Sequence, residues 1–149
     1  MKEILEVKNL TKEFRRSKHE GFVAVDDVSF ALHEGECLGL VGESGSGKST
    51  TVRMITRLLD ATKGSVFLDG QDVTHVKGKE LRTVYQKLQM VFQSPTGSFD
   101  ARRTPGDSIG ESLRNSGMTA AETKERVKKL LRRCELPEDF AKRYPHEVS

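Results

Sequence analysis

The residues Gly42-Glu43-Ser44-Gly45-Ser46-Gly47-Lys48-Ser49-Thr50 fit the pattern G-x-x-x-x-G-K-[ST], and their types and spacing are those of a phosphate cradle. Gly42, Gly45 and Gly47 let the backbone turn with its N–H groups inward, so that no Cβ keeps a polyphosphate from the main chain. Lys48 adds a point charge for the β- and γ-phosphates, and Ser49 supplies a hydroxyl of the kind that ligates Mg²⁺. A helix beginning near Gly47 would aim its positive dipole end at the same anion. The bland alternative is a glycine-rich turn that binds nothing.

Such a loop needs a strand before it and a helix after it. Cys37-Leu38-Gly39-Leu40-Val41 is a short apolar run of the kind seen in a parallel strand buried on both faces. After the loop, Val52, Ile55, Leu58 and Leu59 recur at helical spacing, with Arg53 and Arg57 on the other side.

The remaining chain supplies secondary candidates. Phe14, after Leu10-Thr11-Lys12-Glu13, is an aromatic among polar residues that could stack on a nucleotide base or simply pack in a hairpin, and Phe22 is its rival. Ile4-Leu5-Glu6-Val7 reads as a first strand, and Val28, Phe30 and Leu32 alternate as in a half-buried antiparallel strand. Ser65-Val66-Phe67-Leu68-Asp69 resembles a metal-holding strand that ends in Asp. Because Gly70 and not a carboxylate follows, a plain strand and turn is the expectation.

Lys79 to Gln86 reads as a short helix, and Leu88-Gln89-Met90-Val91-Phe92 as a strand that delivers Gln93 into the loop Ser94-Pro95-Thr96-Gly97-Ser98. At a strand end, Gln93 could orient an attacking water or touch a Mg²⁺ shell, or it could be ordinary loop solvation. Thr104-Pro105 caps a helix that carries Ile109 and Leu113. Thr119 and Glu122 have capping-box spacing at the head of an amphipathic helix with a solvated basic face and the stripe Val127, Leu130, Leu131, Cys134.

Composition bounds the class. The 149 residues, 35% apolar and 32% charged, suit a globular domain. No run approaches the roughly 20 apolar residues of a membrane-spanning helix, and the acidic start does not read as a signal peptide. A cytosolic location is therefore expected. Cys37 and Cys134 are expected to pack, forming neither a disulfide nor a metal site. A net charge of +3 is too mild for a nucleic-acid binder.

With the phosphate loop, Val91-Phe92-Gln93-Ser94-Pro95 and the final Tyr144-Pro145-His146-Glu147-Val148-Ser149, the chain resembles over its whole length the ATP-binding subunits of ABC transporters. Gly42-Glu43-Ser44-Gly45, Ser94-Pro95 and Arg102-Arg103-Thr104 look most like the peptide and nickel importers. The resemblance implies an α/β phosphate-loop NTPase. Residues 1–94 would form an antiparallel β subdomain and the strand–loop–helix of the core, and residues 95–149 the beginning of a helical subdomain. It makes Phe14 the base-stacking aromatic, Gly42 to Thr50 the Walker A loop and Gln93 the glutamine that senses the transmembrane subunits, with Ser49 and Gln93 toward the metal.

ATP and Mg²⁺ are the implied cofactors. The implied partners are a second ATP-binding subunit in a homo- or heterodimer, the permease and, indirectly, an extracytoplasmic solute-binding protein, with the chain peripheral on the cytoplasmic face of the membrane. The chain departs from the family's pattern at Ser149, before the Gly-Gly-Gln of the signature, the second acidic strand, the catalytic glutamate and the switch histidine. It looks like the N-terminal part of a longer protein, expected to be inactive alone. An ABC-type ATPase acting on nucleic acid or ribosomes, or a nonenzymatic nucleotide-binding regulator, are the other classes considered.

Overall fold

The computed structural model describes residues 1–15, 21–93 and 100–147. These fall into two compact units, Met1–Met90 and Val91–Ser149.

The first unit is built on a long hairpin of β1 (Glu3–Arg15) and β2 (Gly21–His33). β3 (Lys63–Leu68) and β4 (Gln71–Asp72) complete an antiparallel sheet of order β2-β1-β3-β4. Both hairpin strands run well past the apolar runs that mark them in the sequence. What carries them on is a pair of polar bulges, where Asn9 and Asp27, at φ 50° and 49°, face each other. Asn9 Nδ2 donates to Asp27 Oδ1 at 2.7 Å, Asn9 N to Ser29 Oγ at 2.8 Å, and Asp27 N to Thr11 Oγ1 at 3.1 Å. The side chains thus satisfy backbone groups that the shifted register leaves outside the ladder.

Asp69 and Gly70, at φ 49° and 77°, make the two-residue turn that joins β3 to β4, as the Asp-Gly pair leads one to expect. The Asp69 carboxylate is spoken for: Lys87 Nζ approaches at 2.8 Å and Lys2 Nζ at 3.1 Å, and these contacts, Lys87 first, hold it below the usual carboxylate range. The strand-and-turn reading of this segment accords with that geometry.

Helix α1 (Lys48–Ile55) lays Thr51, Met54 and Ile55 against the sheet, and α2 (Gly78–Lys87) adds Val84. The core comprises Leu5, Val7, Leu10, Val25, Met54, Ile55, Val66, Val73 and Val84. α1 is shorter than its apolar spacing suggests, because Arg57, at φ 59°, ends it. Arg57 is also turned inward, contrary to the expected solvent-facing placement. Its side chain is only 4% exposed, its guanidinium meets Asp60 Oδ1 at 3.0 Å, and its carbonyl accepts Tyr85 O–H at 3.3 Å. Leu58, expected on the apolar face, is half exposed. The left-handed residue reverses which side chains point at the core.

Two expected strands are absent. Cys37 to Val41 and Leu88 to Phe92 have no strand structure. Val41 and Val91 are each 95% exposed, and the strand of the expected strand–loop–helix is therefore not formed. An apolar run becomes a strand only when neighbours accept and donate its backbone hydrogen bonds, and no described residue pairs with either segment. Cys37 is exposed for the same reason. Cys134 is exposed too, at the C-cap of its helix, so neither thiol packs as expected.

In the second unit, α3 (Pro105–Asn115) and α4 (Ala120–Arg133) pack with a 3₁₀ turn at Glu138–Lys142, and a further 3₁₀ turn spans Pro145–Glu147. The caps follow the sequence. Thr104 Oγ1 accepts from Asp107 N, Pro105 occupies the first turn, and Thr119 and Glu122 form a reciprocal capping box. Val127 and Leu131 are buried, while Lys124, Arg126, Lys129, Arg132 and Arg133 face solvent.

Met54 is 1% exposed at the α1–sheet junction, outside the apolar stripe of Val52, Ile55, Leu58 and Leu59. Met54→Ala should lower unfolding stability by about 3 kcal/mol. Urea denaturation checks this, and a loss within error of zero would mean that α1 is not seated as described.

Candidate phosphate-binding site

The stretch Gly42–Thr50 leads from the exposed 37–41 segment into the first turn of α1. Gly47 is the N-cap of α1 at φ 92°, a left-handed conformation that favours glycine. Space dictates glycine here as well. A Cβ at this position would collide with the Ala24 carbonyl oxygen and lie 3.2 Å from Val25 Cγ2. β2 is the edge strand of the sheet, so the phosphate loop rests against that free edge at Ala24–Val25.

From this seat α1 starts cleanly. Thr51 N donates to Gly47 O at 2.8 Å, and Thr51 Oγ1 adds a second bond to the same oxygen at 3.0 Å. The N–H groups of Lys48, Ser49 and Thr50 precede the first intrahelical bond and have no acceptor within the helix. The first turn carries no acidic side chain to neutralise them. An anion placed at that end of α1 would meet free N–H groups and the positive end of the helix dipole.

Lys48 closes the loop on itself. Its Nζ donates to Gly42 O at 2.7 Å, to Glu43 O at 2.6 Å and to Ser46 Oγ at 3.3 Å. With Ser46 N donating to Glu43 O at 3.2 Å, these contacts gather the Gly42 and Glu43 carbonyls and the Ser46 hydroxyl around the ammonium. Glu43, Ser44 and Gly45 are exposed, as is Ser49, whose hydroxyl has no hydrogen-bond partner among the described residues. A lone hydroxyl suits Mg²⁺, which takes few protein oxygens and keeps its other positions for phosphate and water.

The other candidates are distributed differently. Phe14 is half-buried at the loop end of the hairpin, stacked on Phe22 at 5.4 Å between centroids and 26° between planes. Lys12 Nζ lies 5.2 Å from its centroid. Gln93 is exposed in the second unit, outside any strand. Ser94 to Ser98 lie outside the described residues. Sequence reading missed the seat of Gly47 on Ala24, which no local pattern announces, and the direct pairing of Phe14 with Phe22, which equal spacing from the hairpin loop could have suggested.

The phosphate loop, the helix caps and Gln93 all fall within residues 25–149, over which the chain matches the family model described as ABC transporter. The chain belongs to the ABC transporter family. It is 43% identical over 152 residues to the dipeptide transport ATP-binding protein DppF of Lactococcus lactis subsp. cremoris, covering 99% of this chain and 49% of that protein. To the oligopeptide transport ATP-binding protein OppF of Bacillus subtilis it is 45% identical over 150 residues, covering 98% and 48%. The chain thus spans about half the length of the curated relatives it matches. Among solved structures, the ATP-binding cassette MJ0796 bound to ADP and Pi, described as a dimeric post-hydrolysis state, superposes with a TM-score of 0.84 at 29% identity, covering 98% of this chain and 63% of that one. Among the described residues of this ABC family chain, no helix is long and apolar enough to cross a membrane.

Gly47→Ala introduces both a strained φ and a clash with the β2 edge. It should weaken ATP binding roughly tenfold or more. Calorimetric titration of the folded variant checks this, and wild-type affinity would show that the loop is free to leave its seat.

Proposed function

We propose that this chain is the phosphate-loop half of an ATP-binding subunit that couples ATP binding and hydrolysis to peptide import through a membrane permease. The observation that carries this reading is the preformed Gly42–Thr50 loop, with Lys48 held at its centre by Gly42 and Glu43 and the uncapped start of α1 beside it. The relatives' names support peptide over nickel as the solute.

In this reading Lys48 exchanges its carbonyl partners for the β- and γ-phosphates, and the N–H groups at the start of α1 hold the same oxygens. Ser49 would hold Mg²⁺, which when bound supplies charge neutralisation across the phosphates. Phe14 offers an aromatic face to the base. Gln93 would orient water or contact the metal shell and report nucleotide state to the permease. Residues 1–94 act as the β subdomain and core, and residues 95–149 open the helical subdomain. The apolar segments 37–41 and 88–92, unpaired here, gain strand neighbours from the rest of the protein; isolated, their exposed residues Leu38, Leu40, Val41, Val91 and Phe92 are surfaces that invite association. Two such subunits close around two nucleotides at the cytoplasmic face of the membrane, with the permease and, indirectly, an extracytoplasmic binding protein as partners.

Calorimetry on the full-length protein tests the assignment. Lys48→Ala should reduce ATP affinity by at least about tenfold, since charge-assisted phosphate contacts are among the stronger hydrogen bonds. Unchanged affinity would overturn the cradle. Ser49→Ala should lose affinity in Mg²⁺ and retain it in EDTA; equal losses in both would remove Ser49 from the metal.

A further inference from the structure

We propose, building on the ATP-binding reading above, that Phe22 is a second aromatic of the nucleotide-base subsite and forms with Phe14 a two-ring platform in which Phe22 is the outer ring. The two residues are direct partners in the β1–β2 register, so their side chains leave the same face of the hairpin. Their rings meet at 5.4 Å and 26°, an offset stack, so each restrains the other's orientation.

The surroundings divide the work between them. Phe14 is half-buried and has Lys12 Nζ 5.2 Å from its centroid, with that ammonium tethered to Asp60 O at 2.6 Å. Phe22 is 54% exposed. The more accessible π-face at this end of the sheet therefore belongs to Phe22, although the sequence makes it the weaker rival of Phe14. An exposed phenyl on an edge strand otherwise forfeits apolar burial.

Position ties the pair to the phosphates. Phe22 lies two residues before Ala24 on the edge strand β2, and the Ala24 carbonyl is where Gly47 is seated. At the rise of a strand their Cα atoms are about 7 Å apart. A nucleotide whose phosphates sit at the Gly47–Lys48 turn can thus run along the β2 edge and bring its base to the Phe22 ring.

Affinities for ATP and for tripolyphosphate, a base-free probe of the same loop, separate the platform from the cradle. In the full-length protein Phe22→Ala should weaken ATP about fivefold or more, as expected for loss of base–aromatic stacking, and leave tripolyphosphate unchanged. Phe22→Leu, which keeps apolar bulk without a π-face, should behave as Phe22→Ala, and Phe22→Tyr should restore affinity. Losses from Phe14→Ala and Phe22→Ala should combine to less than their product, because the rings act as a unit. ATP affinity unchanged by Phe22→Leu while Phe14→Ala weakens it would overturn the proposal, as would equal losses for ATP and tripolyphosphate. Failure of the wild type to bind ATP in a Lys48-dependent way would instead overturn the ATP-binding reading on which the platform rests.

Discussion

The seat of Gly47 on the Ala24 carbonyl is the contact on which the site's geometry depends. It requires a residue with no Cβ in a left-handed conformation at one spot, and it converts a glycine-rich turn into a loop with a defined position. Everything near it follows from that position. Thr51 bonds back to Gly47, Met54 and Ile55 reach the sheet core one turn later, and Lys48 is left facing the loop's own carbonyls. The phosphate site is thereby coupled to the β1–β2 hairpin, whose polar bulges at Asn9 and Asp27 let both strands reach the Phe14–Phe22 pair.

Backbone hydrogen bonding sets the limit on what this chain folds. The antiparallel sheet forms from two hairpins with short connections, β1–β2 and β3–β4, joined by the long-range pairing of β1 with β3. The segments 37–41 and 88–92 are as apolar as the sheet strands, yet neither forms a strand, and Leu38, Leu40, Val41, Val91 and Phe92 stay exposed while Leu88 and Met90 are half-buried. Apolarity makes a segment ready for a sheet, but only a neighbour with free N–H and C=O groups makes it a strand. The helical unit has no such dependence, since its helices satisfy their own backbones and their ends are capped by Thr104, Thr119 and Glu122.

Arg57 belongs to the same class of effect. A buried guanidinium is costly unless partnered, and here one bond to Asp60 leaves Nε without a partner among the described residues. What it secures is the abrupt end of α1, where its carbonyl accepts the Tyr85 hydroxyl and its left-handed backbone turns the chain toward β3.

By itself the sequence determined whatever rests on contacts within a few residues: the glycine pattern of the loop, the Asp69–Gly70 turn, the proline and capping box of α3 and α4, and the family motifs at Gly42 to Thr50. Those devices act over one turn of backbone, so local residue types suffice to specify them. Tertiary structure alone decided that Arg57 points inward, that Met54 fills the core, that Ala24 seats the loop, and that Phe14 and Phe22 share one stack. Each of these depends on which distant backbone or side chain arrives alongside, and hydrophobic periodicity carries no information about the identity of that neighbour.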